Sequence, residues 1–530
     1  MKKVLMLVLI SLISCGTQAQ FNVVWGELLK TKGRVTSVFP LDGSDFYTLR
    51  FQGGALLGSQ YLGNHTNFVL TNTGKILARV GNSTATIESI NVVNGQPVVF
   101  LADQSEGKKI LYMQKYTSAC VPQGEAIELT QFTMPKGWRK KGDFTVQMSQ
   151  NKEFICVEFD IPASRDEKQK FGYKVMTSEL EVISEGDYEL RYEQNEATIS
   201  NRYLSNTGDY FIATKVYNAS DKRKMFKDYT TLDKVLLMQV TPDGLEEFEL
   251  DLDNKRIFDM SFSSDNNRIM TFTGLYGDVG KGESGIKGIF YFRLDFDKKE
   301  MIDQGFEPFK KDFITEGWSE RQKEKADKKE AKGKAAPQLF NYDIRDIITL
   351  ADGSILGMLE QYYVHVVTTT DNRGVTSYTY YYYYNDIIAY KVHPNGTFEW
   401  VKKIPKSQVS TNDYGYYSSI ARFVTKDKIV LFFNDNLKNY DESGAWINNT
   451  AGDTRKTLYG ASYRKKTNTV AKVEIDLADG TVDRHTFFDR QETNAYAIPK
   501  LFKTDYIKQE MLLVLRYGKK EKYGLLSFGE

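Results

Sequence analysis

The chain has 530 residues, 13 % of them aromatic, and only 11 prolines, a composition that suits sheets rather than disorder. Its formal net charge is +1, so the chain as a whole makes no electrostatic case for nucleic acid as a partner. Three cysteines (Cys15, Cys120, Cys156) and four histidines (His65, His365, His393, His485) leave little material for a metal centre, and no metal or cofactor is expected.

At the N-terminus, Lys2 and Lys3, the apolar run Val4 to Ile13 and the small-residue site Thr17-Gln18-Ala19 read as an export signal over residues 1–19. A second reading competes with it: Leu12-Ile13-Ser14-Cys15 resembles a bacterial lipobox, which makes Cys15 a candidate lipidation site. Both readings send the chain out of the cytoplasm, to the periplasm, the cell exterior or the outer membrane. No later segment is apolar enough to span a bilayer. Export permits a disulfide, but Cys156 lies in the strand pattern FICVEFD, where a small buried thiol is the simpler expectation, and Cys120 and Cys156 are read as unbridged.

From Gln20 the rest of the chain reads as one repetitive domain, 20–530. It opens on FNVVWGELLK, which matches the later stretch FEWVKKIPK, with Trp25 in the place of Trp400. FEWVKKI is the return strand of a hairpin, NDIIAYKVHPNGTFEWVKKI, whose alternation gives the strands and whose Asn395-Gly396 supplies the turn. The opening segment is therefore a return strand with no partner before it. Groups of four β-runs follow over Arg34 to Val80, Ala85 to Phe132, Asp143 to Leu190, Ala197 to Leu252, Arg256 to Phe309, Asn341 to Pro405 and Tyr416 to Asp489. In the first group the runs are read as VTSVFPL, DFYTLRFQ, NFVLTN and KILARV. The tail from Asn494 has only three runs: AIPKLF, EMLLVLRYG and YGLLSFG.

Four antiparallel strands repeated at roughly 50–60 residues are the unit of a β-propeller. The spare N-terminal strand and the incomplete tail complete one another, which removes an exposed sheet edge. The expected fold is all-β: a closed β-propeller of eight four-stranded blades, with seven blades as the alternative. Three insertions interrupt the repeat, at about 310–337, 362–384 and 437–468. The first is charged and reads as a solvated helix with a Glu324–Lys328 pair in the favourable order. In an up-and-down blade all three emerge on one face, and the turns on the other face are short.

Catalytic patterns are missing from the sequence: no GxSxG, HExxH, P-loop or CxxC is present. The acidic stretches Asp251-Leu252-Asp253-Asn254 and Asp435-Asn436 lack calcium-loop spacing and read as turns. The unusual feature is the tyrosine run in the second insertion, which is either a packed two-stranded extension or an aromatic platform. Insertions on adjacent blades point to a binding site made by Tyr380, Tyr382, Tyr384, Trp446 and Tyr459, with a protein or a glycan as partner. A one-residue register slip would exchange these tyrosines for Tyr381 and Tyr383.

The pattern IRDIITLADGSILGMLEQYY followed by NDIIAYKVHPNGTFEWVKKIPKSQ resembles a blade of uncharacterised secreted β-propeller proteins of Gram-negative bacteria. The resemblance covers Tyr342 to Gln408 and implies the fold and export, with no activity and no catalytic residues. The expected function is an exported, non-catalytic binding scaffold. The alternatives are a polysaccharide-active hydrolase or lyase using channel carboxylates such as Asp259, Asp343 and Asp346, and a component of a cell-envelope complex.

Overall fold

The computed structural model describes residues 21–53, 59–76, 79–80, 83–134, 142–162, 167–194, 196–217, 232–250, 255–264, 268–278, 285–333, 336–447, 455–460 and 467–528. The export signal, the cleavage site at Thr17-Gln18-Ala19 and Cys15 lie outside the described residues.

Within them the strands form eight sheets of four or more strands and one two-stranded ribbon. The first seven sheets occupy 34–75, 86–133, 144–193, 197–250, 255–308, 342–404 and 421–489 in chain order. Each is antiparallel in its core, and its first strand contacts the first strand of a neighbouring sheet along most of the series. The architecture is a β-propeller whose first strands line the centre. Its second and third strands are buried on both faces because a sheet packs on each side. Lys428–Asn436 and Glu510–Tyr517 show this as near-continuous apolar runs. Outer strands face water and alternate, as in Val182–Glu193.

The eighth sheet joins the two ends of the described chain. Asn22–Trp25 pairs antiparallel with Lys520–Ser527, Val23 opposite Leu526 and Trp25 opposite Gly524. Leu29–Lys30 pairs with the same strand. Trp25 packs edge-on against Phe488 of the seventh sheet, 5.3 Å between ring centroids, while Trp400 donates from its indole to Leu477 O of that sheet, 3.2 Å. Both tryptophans therefore pack an outer strand against the seventh sheet, Trp25 by a ring contact and Trp400 by a hydrogen bond. One apolar cluster runs through the seventh, eighth and first sheets, with Phe432, Leu513 and Phe46 all fully buried.

Three local readings change. In the first sheet the third strand is Ser59–Thr66 and the fourth is Val69–Lys75, so NFVLTN is not a third strand and KILARV is not a fourth. The turn falls at Asn67 and Phe68, both with positive φ, 50° and 65°. SQYLGNHT hides its alternation because only Leu62, Gly63 and His65 are buried in it. In the sixth sheet only Gly396 of the Asn-Gly pair is left-handed, φ 81°. Its turn bonds, Gly396 N to His393 O and His393 N to Thr397 O, are those of a type I turn closed by a glycine bulge. In the tail, AIPKLF is broken by a 3₁₀ turn, Pro499–Leu501, between Tyr496–Ala497 and Lys503–Asp505.

Cys120 and Cys156 are free and buried. The charged insertion carries a helix, Glu320–Glu330, with a capping box at Ser319 and Gln322 and a Glu324–Lys328 pair at 3.7 Å. No helix among the described residues is long and apolar enough to cross a membrane.

Candidate functional site

Two strands of the sixth sheet outrun it. Ile355–Thr370 pairs with the first strand only as far as Gln361, and Thr376–Val392 pairs with the fourth only from Ile387 onward. Their outer halves continue as a ribbon from Tyr362 opposite Tyr384 to Thr370 opposite Thr376. Valine, threonine and tyrosine are the residues that favour such extended backbone. Gln408–Thr411, from the connection into the seventh sheet, adds antiparallel to Tyr381–Tyr384. Leu458–Tyr459, from the insertion of the seventh sheet, then adds parallel to it. Loops of two neighbouring sheets therefore build one small extension sheet.

Register divides the tyrosines of this extension between its two faces. Tyr380, Tyr382 and Tyr384 share one face, while Tyr363, Tyr381 and Tyr383 share the other. Tyr459 follows Val409 and Tyr383 onto the second face. The first face turns inward. The Tyr414 ring covers Tyr382 at 5.6 Å, and the Tyr362 ring covers Tyr384 at 4.7 Å. Both Tyr382 and Tyr384 are buried, and of this set only Tyr380 is exposed, at 41 %.

A charged network supports the inward face. Lys406 Nζ donates to Glu360 Oε1 at 2.6 Å and to Tyr384 O at 3.0 Å. Arg345 Nε and Ser419 Oγ both donate to Glu360 Oε2, each at 2.7 Å. Burial alone would raise the Glu360 carboxyl, but Lys406 and Arg345 outweigh it and hold it below the usual carboxylate range. Lys500 Nζ donates to the Tyr384 hydroxyl at 2.7 Å, and burial brings this ammonium down to about 8. Nothing in the sequence pattern marks Glu360 or Lys406, since their meeting depends on a tertiary contact 46 residues apart.

The second face is an aromatic row. Tyr363 and Tyr383 stack at 4.5 Å with rings nearly parallel, His365 lies 6.4 Å from Tyr381, and Tyr459 is 59 % exposed. The five residues named from the sequence therefore do not form one surface. Trp446 belongs to neither face: the Arg484 guanidinium lies 3.6 Å over its ring and Tyr440 packs against it at 5.6 Å. Asp435, Tyr440 and Arg484 form a buried hydrogen-bonded group beneath it. Parity in the run of five tyrosines, Tyr380 to Tyr384, is what the sequence leaves open; here Tyr382 and Tyr384 are buried, while Tyr381 and Tyr383 lie half-buried on the other face.

At the opposite, short-turn end of the centre lies a cavity of about 1710 Å³, bordered by Phe262, Asp346, Ile348, Arg422, Thr425 and Tyr506 among others. Asp346 is ion-paired to Arg422. Burial raises its carboxyl, and Arg422 opposes that rise. Asp343 stands beside Arg345 at 4.0 Å, and Asp259 accepts a hydrogen bond from Ile344 N at 2.9 Å. Asp259 and Asp343 do not line the cavity, so the three carboxylates do not converge on one point. Among the described residues no group of three or more His, Cys, Asp or Glu side chains is placed to hold a metal ion.

No family model matches the chain, and no curated protein matches it. Among solved structures it is similar to the WD40 domain of SCAP from fission yeast, at 8 % identity and a TM-score of 0.38, over 96 % of this chain and 95 % of that one. Sqt1 from Chaetomium thermophilum is similar at 10 % identity and a TM-score of 0.37, over 94 % and 96 %. The polysaccharide lyase Uly1 is similar at 8 % identity and a TM-score of 0.35, over 94 % and 90 %.

Proposed function

We propose that the protein is an exported, non-catalytic binding scaffold that offers the tyrosine-bearing extension to a protein or glycan partner. The observation that carries this reading is the extension itself. A two-stranded ribbon is marginal alone in water, yet this one projects past its sheet with Val375, Tyr378 and Tyr380 exposed at 63 %, 57 % and 41 %. Side chains of this kind, held on a braced sheet, give contact area at low entropic cost. The test is capture of a partner from cell-envelope proteins and glycans by immobilised protein. Replacing Tyr378, Tyr380 and Tyr459, which are 57 %, 41 % and 59 % exposed, together by Ser should abolish capture, and replacing Asp243 and Asn395 in the short turns should leave it intact. Capture that survives the tyrosine replacements, or that is lost only in the turn variants, overturns the reading.

A second reading, action on a polysaccharide, rests on the open central cavity with Asp346 in its wall. It requires that the protein release reducing or unsaturated ends from some glycan, and that Asp346→Asn stop it. Membership of a cell-envelope complex is compatible with the scaffold reading, and the same capture experiment tests it.

A further inference from the structure

One long side of the extension is uncovered. Gln408–Thr411 lies along the Tyr381–Tyr384 side of the ribbon, but among the described residues no strand pairs with the other side, Tyr362 to Thr370. Tyr362 N donates outward to Asn341 O at 2.7 Å, and Asp371 N donates within the ribbon to Val375 O at 3.0 Å. Alternation then turns the N–H and C=O groups of Val364, Val366, Thr368 and Thr370 toward the open side.

Sheets normally protect such an edge with charge, proline or a bulge. The outer strands of this protein do so. Val182–Glu193 carries Glu185, Asp187, Glu189 and Arg191 and is interrupted by irregular register, and Gly244–Leu250 carries Glu246, Glu247 and Glu249. Tyr362 to Thr370 reads YYVHVVTTT, without Lys, Arg, Asp, Glu or Pro, and its ladder to the other strand is regular throughout. Val364, Val366 and Val367 on it are 39 %, 43 % and 36 % exposed.

We propose that this edge pairs with the same edge of a second copy of the chain, antiparallel about a two-fold axis at Val367. Val367 then faces its own copy, Val366 faces the second copy's Thr368, His365 faces its Thr369 and Val364 faces its Thr370. No like charges meet, and nearly every opposed pair is β-branched, the kind that packs best across strands. A foreign strand would need no self-complementarity from this edge, whereas an isologous contact requires it. Centring the overlap on Val367 keeps it on the projecting half of the ribbon. The contact uses the backbone edge rather than the tyrosine faces, and so it goes beyond the binding reading above.

The test is sedimentation velocity of the full chain between about 1 and about 100 μM, where weak self-association is measurable. Wild-type protein should shift from monomer to dimer across this range. Val367→Lys should raise the dimer dissociation constant at least about tenfold, because like charges then face each other. Mixing Val367→Lys with Val367→Glu should restore a dimer containing one of each. Far-UV circular dichroism and melting identical to wild type show that each variant is folded. Wild-type protein that stays monomeric throughout, a Val367→Lys dimer as tight as wild type, or a mixture that fails to associate overturns the proposal. A tyrosine variant that loses its partner but keeps the dimer, and a Val367→Lys variant that does the reverse, show that the two readings stand or fall separately.

Discussion

His65 is the residue whose surroundings make the sharpest prediction. It is fully buried between the first and eighth sheets, stacked on Phe46 at 4.3 Å and edge-on to Tyr523 at 4.9 Å. Thr48 and the Phe68 carbonyl contact its ring nitrogens, at 3.2 Å and 3.4 Å, and Arg50 and Glu521 lie close by. Burial lowers its pKa to about 4, so the folded protein holds the ring neutral. A depressed pKa in a base means that its stabilising contribution is complete above the unfolded value near 6.5. That contribution is lost as pH falls toward 4 and is flat below. The loss attributable to His65 is about 3 kcal/mol. Denaturant unfolding of wild type and His65→Gln over this window measures it: the difference in stability between the two should shrink by that amount as pH falls. A difference that does not change with pH refutes it.

Glu521, beside His65, behaves in the opposite chemical sense. It is fully buried and accepts from Arg50 at 2.8 and 3.0 Å and from the Tyr523 hydroxyl at 2.9 Å, with Arg516 as a further ion-pair partner. Burial would raise its carboxyl, but the two guanidiniums outweigh burial and hold it below the usual range. Arg50 belongs to the first sheet and Glu521 to the eighth, so the pair fastens the two together. Removing one partner leaves an unpaired buried charge. Glu521→Gln should cost about 3 to 5 kcal/mol, read as a fall in the denaturation midpoint.

At the scale of the element, the hairpin turns are where adjacent sheets touch most closely. The strand Glu300–Pro308 of the fifth sheet crosses the turn of the sixth at Gly305, where an added Cβ would sit 2.2 Å from the Gly396 carbonyl oxygen. Backbone fills that space and cannot step aside. Gly305→Ala should therefore lose about 1 to 3 kcal/mol by overpacking, measured by thermal melting, although it lies on an outer strand. The Asn395-Gly396 turn was legible in the sequence because glycine adopts the positive φ found at Gly396 without steric cost, and the N-terminal strand was legible because FNVVW matches the return strand around Trp400. The strand Ser59–Thr66 was not legible, since its buried side is made of Leu62, Gly63 and His65 and carries no apolar period. Nor was the division of the tyrosines, because a run of one residue type has no internal marker of parity and the bulge between Glu360 and Tyr362 resets it. Glu360 and Lys406 stayed hidden for a different reason. A buried ion pair is a contact between distant chain segments, and each half looks like an ordinary charge.

At the scale of the molecule, the pairing of Asn22–Trp25 with Lys520–Ser527 joins the two ends of the described chain in one sheet. Deleting residues 21–29 should leave seven sheets with an incomplete eighth, and it exposes the edge of Lys520–Ser527. The truncated protein should unfold over a broader denaturant range and with a smaller slope than the full chain. Unchanged cooperativity would show that the fold does not depend on this strand.

The same pairing also has an entropic side. Val23 and Leu526 face each other although 503 residues separate them along the chain, whereas a hairpin joins residues a few positions apart. Loop closure grows with the logarithm of the span, so bringing these ends together from an unfolded chain costs about 4 kcal/mol more than closing a five-residue turn. That cost is lowest once the other sheets have formed and carried the ends to within reach. Asn22–Trp25 should accordingly dock last in folding and detach first in native fluctuations. Its amides, at Val23 and Val24, should exchange with solvent hydrogen faster than those of Glu510–Tyr517 in the same sheet. A propeller joined in this way breathes at its seam.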